Sequence, residues 1–206
     1  MKFVFISDTH GLHRDLELPP GEVLVHAGDI TDHGSEAEVR DFLDWMGDLD
    51  YAHKVFIGGN HDLFLEEQPL EFLELLPPGL TYLNNQAHQV GPYRLWGSPH
   101  TPDLVGWAFG RPREQLAAHW RYLPPQIDLL ITHTPPHGIL DRSGSGQTLG
   151  CTYLRQELPS RSIKVHVFGH IHASYGQREI GGTTFINASN LDSYRGLINP
   201  PVVLEW

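Results

Sequence analysis

Apolar runs of four to seven residues recur along this chain, and each stops abruptly at a polar, glycine-punctuated break. Lys2 to Ser7, Glu22 to Ala27, His53 to Ile57, Ile127 to Thr132 and Lys164 to Phe168 are rich in Val, Ile, Leu and Phe, the signature of buried strands. Thr183 to Ile186 and Val202 to Glu205 read as further strands. Between the second and third runs, Ser35-Glu36-Ala37-Glu38 matches a capping box, and Val39, Phe42, Leu43, Met46 and Leu49 recur at helical spacing. Pro69 to Leu76, Arg113 to Tyr122 and Thr148 to Leu158 are expected as further helices. Thr81 to Leu83, Gln86 to Val90 and Tyr93 to Trp96 are short runs joined by Asn84-Asn85 and Gly91-Pro92, which read as hairpin-type connections. Strand, loop, helix, strand is the unit of a layered α/β fold.

The residues at the strand ends change the picture from scaffold to site. The first run ends in Ser7-Asp8-Thr9-His10-Gly11, the second in Gly28-Asp29-Ile30-Thr31-Asp32, the third in Gly58-Gly59-Asn60-His61-Asp62. Later runs end in His133 and in Gly169-His170-Ile171-His172. In extended backbone, residues two apart point to the same side, so Asp8 and His10, and likewise His170 and His172, are expected to aim at one point. Ligands of open α/β sheets gather at the carboxyl ends of strands. One ion takes about four to six ligands, so this collection suits two. Oxygen and imidazole donors without thiolate favour Mn, Fe or Zn, with Mn expected first.

Composition narrows the partners. The 206-residue chain is 40% hydrophobic and is expected to form a single domain over 1–206. Its formal net charge of -11 argues against stable binding of duplex nucleic acid, while leaving a small phosphorylated substrate, such as a nucleotide, open once cations occupy the site. The single cysteine, Cys151, reads as a packed thiol. The apolar run at the N-terminus is too short for a signal peptide or a membrane span, so a cytoplasmic protein without membrane attachment is expected. The oligomeric state is not legible.

Asp8-x-His10, Gly28-Asp29-x-x-Asp32, Gly59-Asn60-His61-Asp62, Thr132-His133 and Gly169-His170-x-His172 together resemble the calcineurin-like metallophosphoesterase superfamily. Gly97-Ser98-Pro99, Trp107-Ala108-Phe109 and Phe185-Ile186-Asn187-Ala188-Ser189 look like its small MPPED/239AB-like branch. The resemblance implies a four-layer αββα sandwich with mixed sheets. It implies that Asp8, His10 and His172 hold one divalent ion, that Asn60, His133 and His170 hold a second, and that Asp29 bridges them. It implies that His61 lies off the metals as proton donor or phosphate contact, with Asp62 orienting its ring and Asp32 outside the ligand set. The implied activity is phosphoester hydrolysis by a metal-bridging hydroxide, on diesters (cyclic nucleotides included) before monoesters. A nuclease of the same superfamily and a non-catalytic metal-binding scaffold are the alternatives. His100, Trp107, Phe109, Arg142, Tyr194 and Arg195 are candidates for the substrate pocket.

Overall fold

The computed structural model describes residues 1–206. Thirteen strands occur in chain order. They are β1 (Lys2–Ile6), β2 (Val23–His26), β3 (His53–Phe56), β4 (Leu80–Tyr82), β5 (Gln86–Val90), β6 (Tyr93–Ser98) and β7 (Thr101–Pro102), then β8 (Gly110–Arg111), β9 (Gln126–Thr132), β10 (Ser162–Phe168), β11 (Gly176–Ile180), β12 (Thr183–Asn187) and β13 (Val202–Glu205). The first sheet has the order β13-β1-β2-β3-β4 and the second β11-β12-β10-β9-β6-β5; β7 and β8 form a small ribbon of their own. The inner neighbours of both sheets are parallel, and β13, β11 and β5 close edges in antiparallel sense.

Side-chain alternation makes the sandwich. Along β1, Phe3 and Phe5 face the second sheet, where they join Val25 and Ile57 against Leu129, Ile131, Val165 and Val167. Val4 and Ile6 face the other way, onto Phe42, Leu43 and Met46 of helix α1 (Glu36–Asp48). Residues of alternate parity on the second sheet, among them Leu130 and Phe168, pack under Leu116, Trp120 and Leu154. Those come from two helices, and the order from α1 is α2 (Leu63–Glu67), α3 (Pro69–Leu75), α4 (Arg113–Trp120) and α5 (Thr152–Glu157). Helix, sheet, sheet, helix is the four-layer arrangement expected. Each fully buried aliphatic or aromatic side chain stabilises it by ~1.5–3 kcal/mol.

The capping box forms as read: Ser35 accepts from the Glu38 amide, and the Glu38 carboxylate accepts from the Ser35 amide. Two expectations are corrected, and one strand goes beyond them. The 80–82 strand lies parallel beside β3, so Asn84-Asn85 carries the chain between sheets rather than closing a hairpin. Helix α5 begins only at Thr152, because Cys151 and Thr148 are engaged in bridges to Pro136 and Arg142. Strand β11 was not foreseen; it is an edge whose Gln177-Arg178-Glu179 are exposed and carry no apolar alternation. No helix is long and apolar enough to cross a membrane.

Candidate metal centre

The carboxyl ends of β1, β2 and β3 in one sheet and of β9 and β10 in the other meet at the same rim. Asp8, His10, Asp29 and Asn60 come from the first sheet; His133, His170 and His172 come from the second. They reach one another by a route the extended-strand argument did not contain. Asp8, His10, Asp29 and His170 all have left-handed backbone, with φ of 53°, 43°, 56° and 67°. Each such residue costs about 1–3 kcal/mol, a strain that collects at functional sites. The strands end first, and tight turns then aim the side chains. Two glycines permit it. Gly28 has φ +97°, and a Cβ there would stand 2.5 Å from His133 Nδ1. A Cβ on Gly169 would collide with Ser7 and with the Asp8 carboxylate.

The donors fall into three groups, two of them overlapping at His10. Asp8, His10 and His172 place a donor atom each within 4.8 Å of the others, and so do Asp29, His133 and His170, and His10, Asp32 and His61. Asp29 Oδ2 is 3.3 Å from His133 Nε2 and 3.6 Å from His10 Nε2, while Oδ1 accepts the His61 amide at 2.8 Å. Asn60 Oδ1 is 3.0 Å from His133 Nε2. Asp8 Oδ1 is 3.3 Å from His172 Nε2, and the Asp8 carboxylate accepts the His170 amide.

Backbone carbonyls set the histidine tautomers. His133 Nδ1 donates to the Ala27 carbonyl at 2.9 Å, His172 Nδ1 to Asp192 at 3.1 Å and His61 Nδ1 to Asp32 at 2.7 Å. Each ring therefore turns Nε2 towards the site, the usual arrangement of an oriented ligand or proton carrier. His10 is the exception that tests for a cation. Both its ring nitrogens are buried without a hydrogen-bond partner, a costly state that a bound ion would relieve at one of them.

Electrostatics agree with a cation site. Burial alone would raise the Asp29 carboxyl, but the His133 and His10 rings outweigh it and hold it well below 3.8. Burial would lower His133, yet the Asp29 charge and hydrogen bond push it up to about 9. Burial, helped by His133, takes His170 down to about 4, and burial lowers His10 as well. Those two rings are neutral at pH 7, with lone pairs to offer.

Residues 1–174 match the protein family described as calcineurin-like phosphoesterase. This chain belongs to that family. It is a metal-dependent phosphoesterase, a hydrolase of phosphate esters. Human metallophosphoesterase domain-containing protein 1 is 36% identical over 229 residues, covering 99% of this chain and 70% of its own length. A UPF0046 protein of Caenorhabditis elegans is 36% identical over 228 residues, covering 100% of this chain and 80% of its own. The phosphopantetheinyl hydrolase of Mycobacterium tuberculosis superposes with a TM-score of 0.64 at 16% identity, over 91% of this chain and 88% of that one, a likeness of fold.

A cavity of about 300 Å³ opens over the centre of this phosphoesterase. His10, Asp29, Asn60, His61, His170 and His172 form its floor. Ser143, Gly144, Leu149, Ser193 and Arg195 form its wall. Of the pocket candidates, only Arg195 lines it, with its guanidinium on the Asp32 carboxylate. Trp107 stands beside it, its ring 4.6 Å from that of His61. Phe109 is 2% exposed and packs in the core near Gly58 and Leu65 of α2. His100 is buried against the Phe109 carbonyl and His119. Arg142 bonds the Gly146 carbonyl outside the cavity lining, and Tyr194 lies in an adjoining hollow, 93% exposed.

Asp62 is corrected too. Its oxygens accept from the amides of Ile30, Thr31 and Gly59 and from the Thr31 hydroxyl, leaving the His61 ring to the Asp32 carbonyl. Burial and the neighbouring Asp29 charge push Asp62 up to about 6. It ties the second strand-end loop to the third. Ser143, Gly144, Leu149 and Ser193 of the wall are not among the pocket residues expected from the sequence.

Proposed function

We propose that this phosphoesterase carries a dinuclear centre and hydrolyses phosphodiesters, small nucleotides among them, in preference to monoesters. The observation that carries the reading is the position of Asp29 Oδ2, which stands with His133 and His170 in one donor group and also faces His10 Nε2 of another, at 3.3 Å from His133 Nε2 and 3.6 Å from His10 Nε2. Asp8, His10 and His172 would hold one ion, Asn60, His133 and His170 the other, and Asp29 both. Bound divalent ions supply an activated water and neutralise charge on the phosphoryl oxygens.

The remaining roles belong to the chain itself. His61 presents Nε2 at the cavity floor with Nδ1–H fixed on the Asp32 carbonyl, so it can pass a proton to the departing alkoxide. Trp107 covers one side of that ring and limits its solvation. Arg195 is the one Lys or Arg in the cavity lining, and its charge is shared with Asp32. That single, half-committed cation matches the monoanion of a diester better than the dianion of a monoester.

The test is a panel of aryl diester, cyclic nucleotide and aryl monoester on Mn-reconstituted protein, beside elemental analysis. Two equivalents of metal per chain and a higher kcat/KM for diesters are expected. Saturation at one equivalent overturns the dinuclear reading. Faster monoester turnover overturns the substrate preference, and full activity in verified metal-free protein overturns both.

A further inference from the structure

His26 is the last residue of β2 and is fully buried, outside all three donor groups. It pairs in register with Ile6, the last residue of β1, so it stands where the two strands part into the loops that carry Asp8, His10 and Asp29. Its Nδ1 is 3.2 Å from the Gly28 amide, and its Nε2 is 2.9 Å from Thr9 Oγ1. An amide can only donate, so Nδ1 is the acceptor and the proton sits on Nε2, directed at the Thr9 hydroxyl. The Phe42 ring meets the imidazole edge-on at 5.2 Å and fixes its plane. Burial pushes the ring down to about 3, so it stays neutral, as these two opposite roles require.

We propose that His26 is a positioning residue of the metal centre, a clamp that joins the Asp8-Thr9-His10 loop to the Gly28-Asp29 loop. Thr9 lies between two proposed ligands and Gly28 immediately precedes the shared one. The imidazole spans the loops where strand pairing has stopped, next to the backbone bonds from Asp8 to Gly28 and from His10 to Asp29. The second sheet repeats one half of the device, the bond from ring to threonine, while His166 Nδ1 is buried without a partner. His166 of β10 has Nε2 2.8 Å from Thr132 Oγ1, which donates in turn to the Thr134 carbonyl, and Thr132 immediately precedes His133. A histidine inside a strand holding the threonine beside a ligand thus occurs once in each sheet. The clamp rests on the assignment of Asp8, His10 and Asp29 as metal ligands.

The test compares wild type with Thr9→Val, Thr9→Ser, His26→Asn and the Thr9→Val/His26→Asn double variant. Mn²⁺ affinity is read by calorimetry, metal-free melting temperature by circular dichroism, and the His26 tautomer by ¹⁵N–¹H NMR. Losing a group that orients ligands costs ~10–100-fold in metal affinity. Thr9→Val is expected to lose affinity in that range and, because it also leaves the buried His26 Nε2–H without a partner, to lower the metal-free melting temperature, whereas Thr9→Ser should leave that temperature near the wild-type value. Thr9→Ser, which keeps the hydroxyl, is expected to restore affinity. The double variant should bind no more weakly than the weaker single one, because both changes open the same link. Wild-type affinity in Thr9→Val, multiplying losses in the double variant, or a proton on His26 Nδ1 would each overturn the clamp. If wild type binds one ion only, the dinuclear reading fails, and the clamp is still judged by the change in affinity for that ion.

Discussion

Replacing Asp29 by Asn removes one charge from the centre and leaves the shape of the residue intact. The Asn carbonyl can keep the 2.8 Å bond from the His61 amide, which turns the new NH₂ group towards His10 and His133. The sharpest readout is His133. In the metal-free protein this buried ring stands at about 9 instead of 6.5, with Asp29 first among the groups that raise it. That difference is worth about 3 kcal/mol at ~1.36 kcal/mol per pH unit. Because burial opposes it, the attraction from Asp29 and its helpers is larger still. With Asp29 neutral, His133 should fall by about two units or more. The assay is NMR titration of the histidine Cε1–H signals in chelator-treated wild type and variant. A His133 that still titrates near 9 in Asp29→Asn would refute the reasoning. The linkage has a definite sign. A group raised on folding stabilises fully below its unfolded value, so wild-type metal-free protein should lose this stability as pH rises from 6.5 through 9, and the variant should not. Proton and metal compete for the same Nε2, so wild-type metal affinity should climb over that window.

His61→Ala should keep its metal content while kcat falls by roughly 10²–10⁴-fold; loss of metal would make His61 a ligand instead. Asp62→Ala orphans three buried amides, at ~1–3 kcal/mol each, while the Thr31 hydroxyl keeps the His61 carbonyl, so urea denaturation should show a loss of about 3 kcal/mol or more, far beyond that of His61→Ala. Equal stability of the two variants would dismiss the structural role of Asp62. Arg195→Ala should raise KM for a diester about tenfold with little change in bound metal; an unchanged KM would place substrate elsewhere. Gly169→Ala forces a Cβ onto Ser7 and Asp8 and should weaken metal binding, and unaltered metal content would show that the turn can yield.

The donors were legible because chemistry and position coincide: apolar runs stop, and Asp, Asn or His stands at the stop. The same pattern pointed to a layered α/β fold, and the four-layer αββα order was implied by the family resemblance. What was not legible is mostly backbone. The carbonyls of Ala27, Asp32 and Asp192 orient His133, His61 and His172, and every residue type carries a carbonyl. The left-handed turns at Asp8, His10, Asp29 and His170 contradict local preference and arise only where tertiary contacts enforce them. Phe109 shows the converse error. An aromatic in a Gly- and Pro-rich loop reads as a pocket wall, yet it is core, because Glu66 accepts its amide and draws that loop down onto α2. Asp62 misled by adjacency: neighbours in sequence point apart in a tight turn.

The centre takes donors from both sheets, and that makes a cation a cross-link. In each proposed set, at least one ligand belongs to the first sheet and one to the second, so an ion held there fastens the two halves of the sandwich at their carboxyl rim. The opposing rim is held by apolar packing and ordinary polar contacts. Loaded and metal-free protein should therefore differ as a riveted seam differs from a merely pressed one. An ion at 100 times its Kd adds ~2.7 kcal/mol by mass action. Chelation should quicken amide exchange first in the turns around Asp8, Asp29 and His133, with the strands behind them following later.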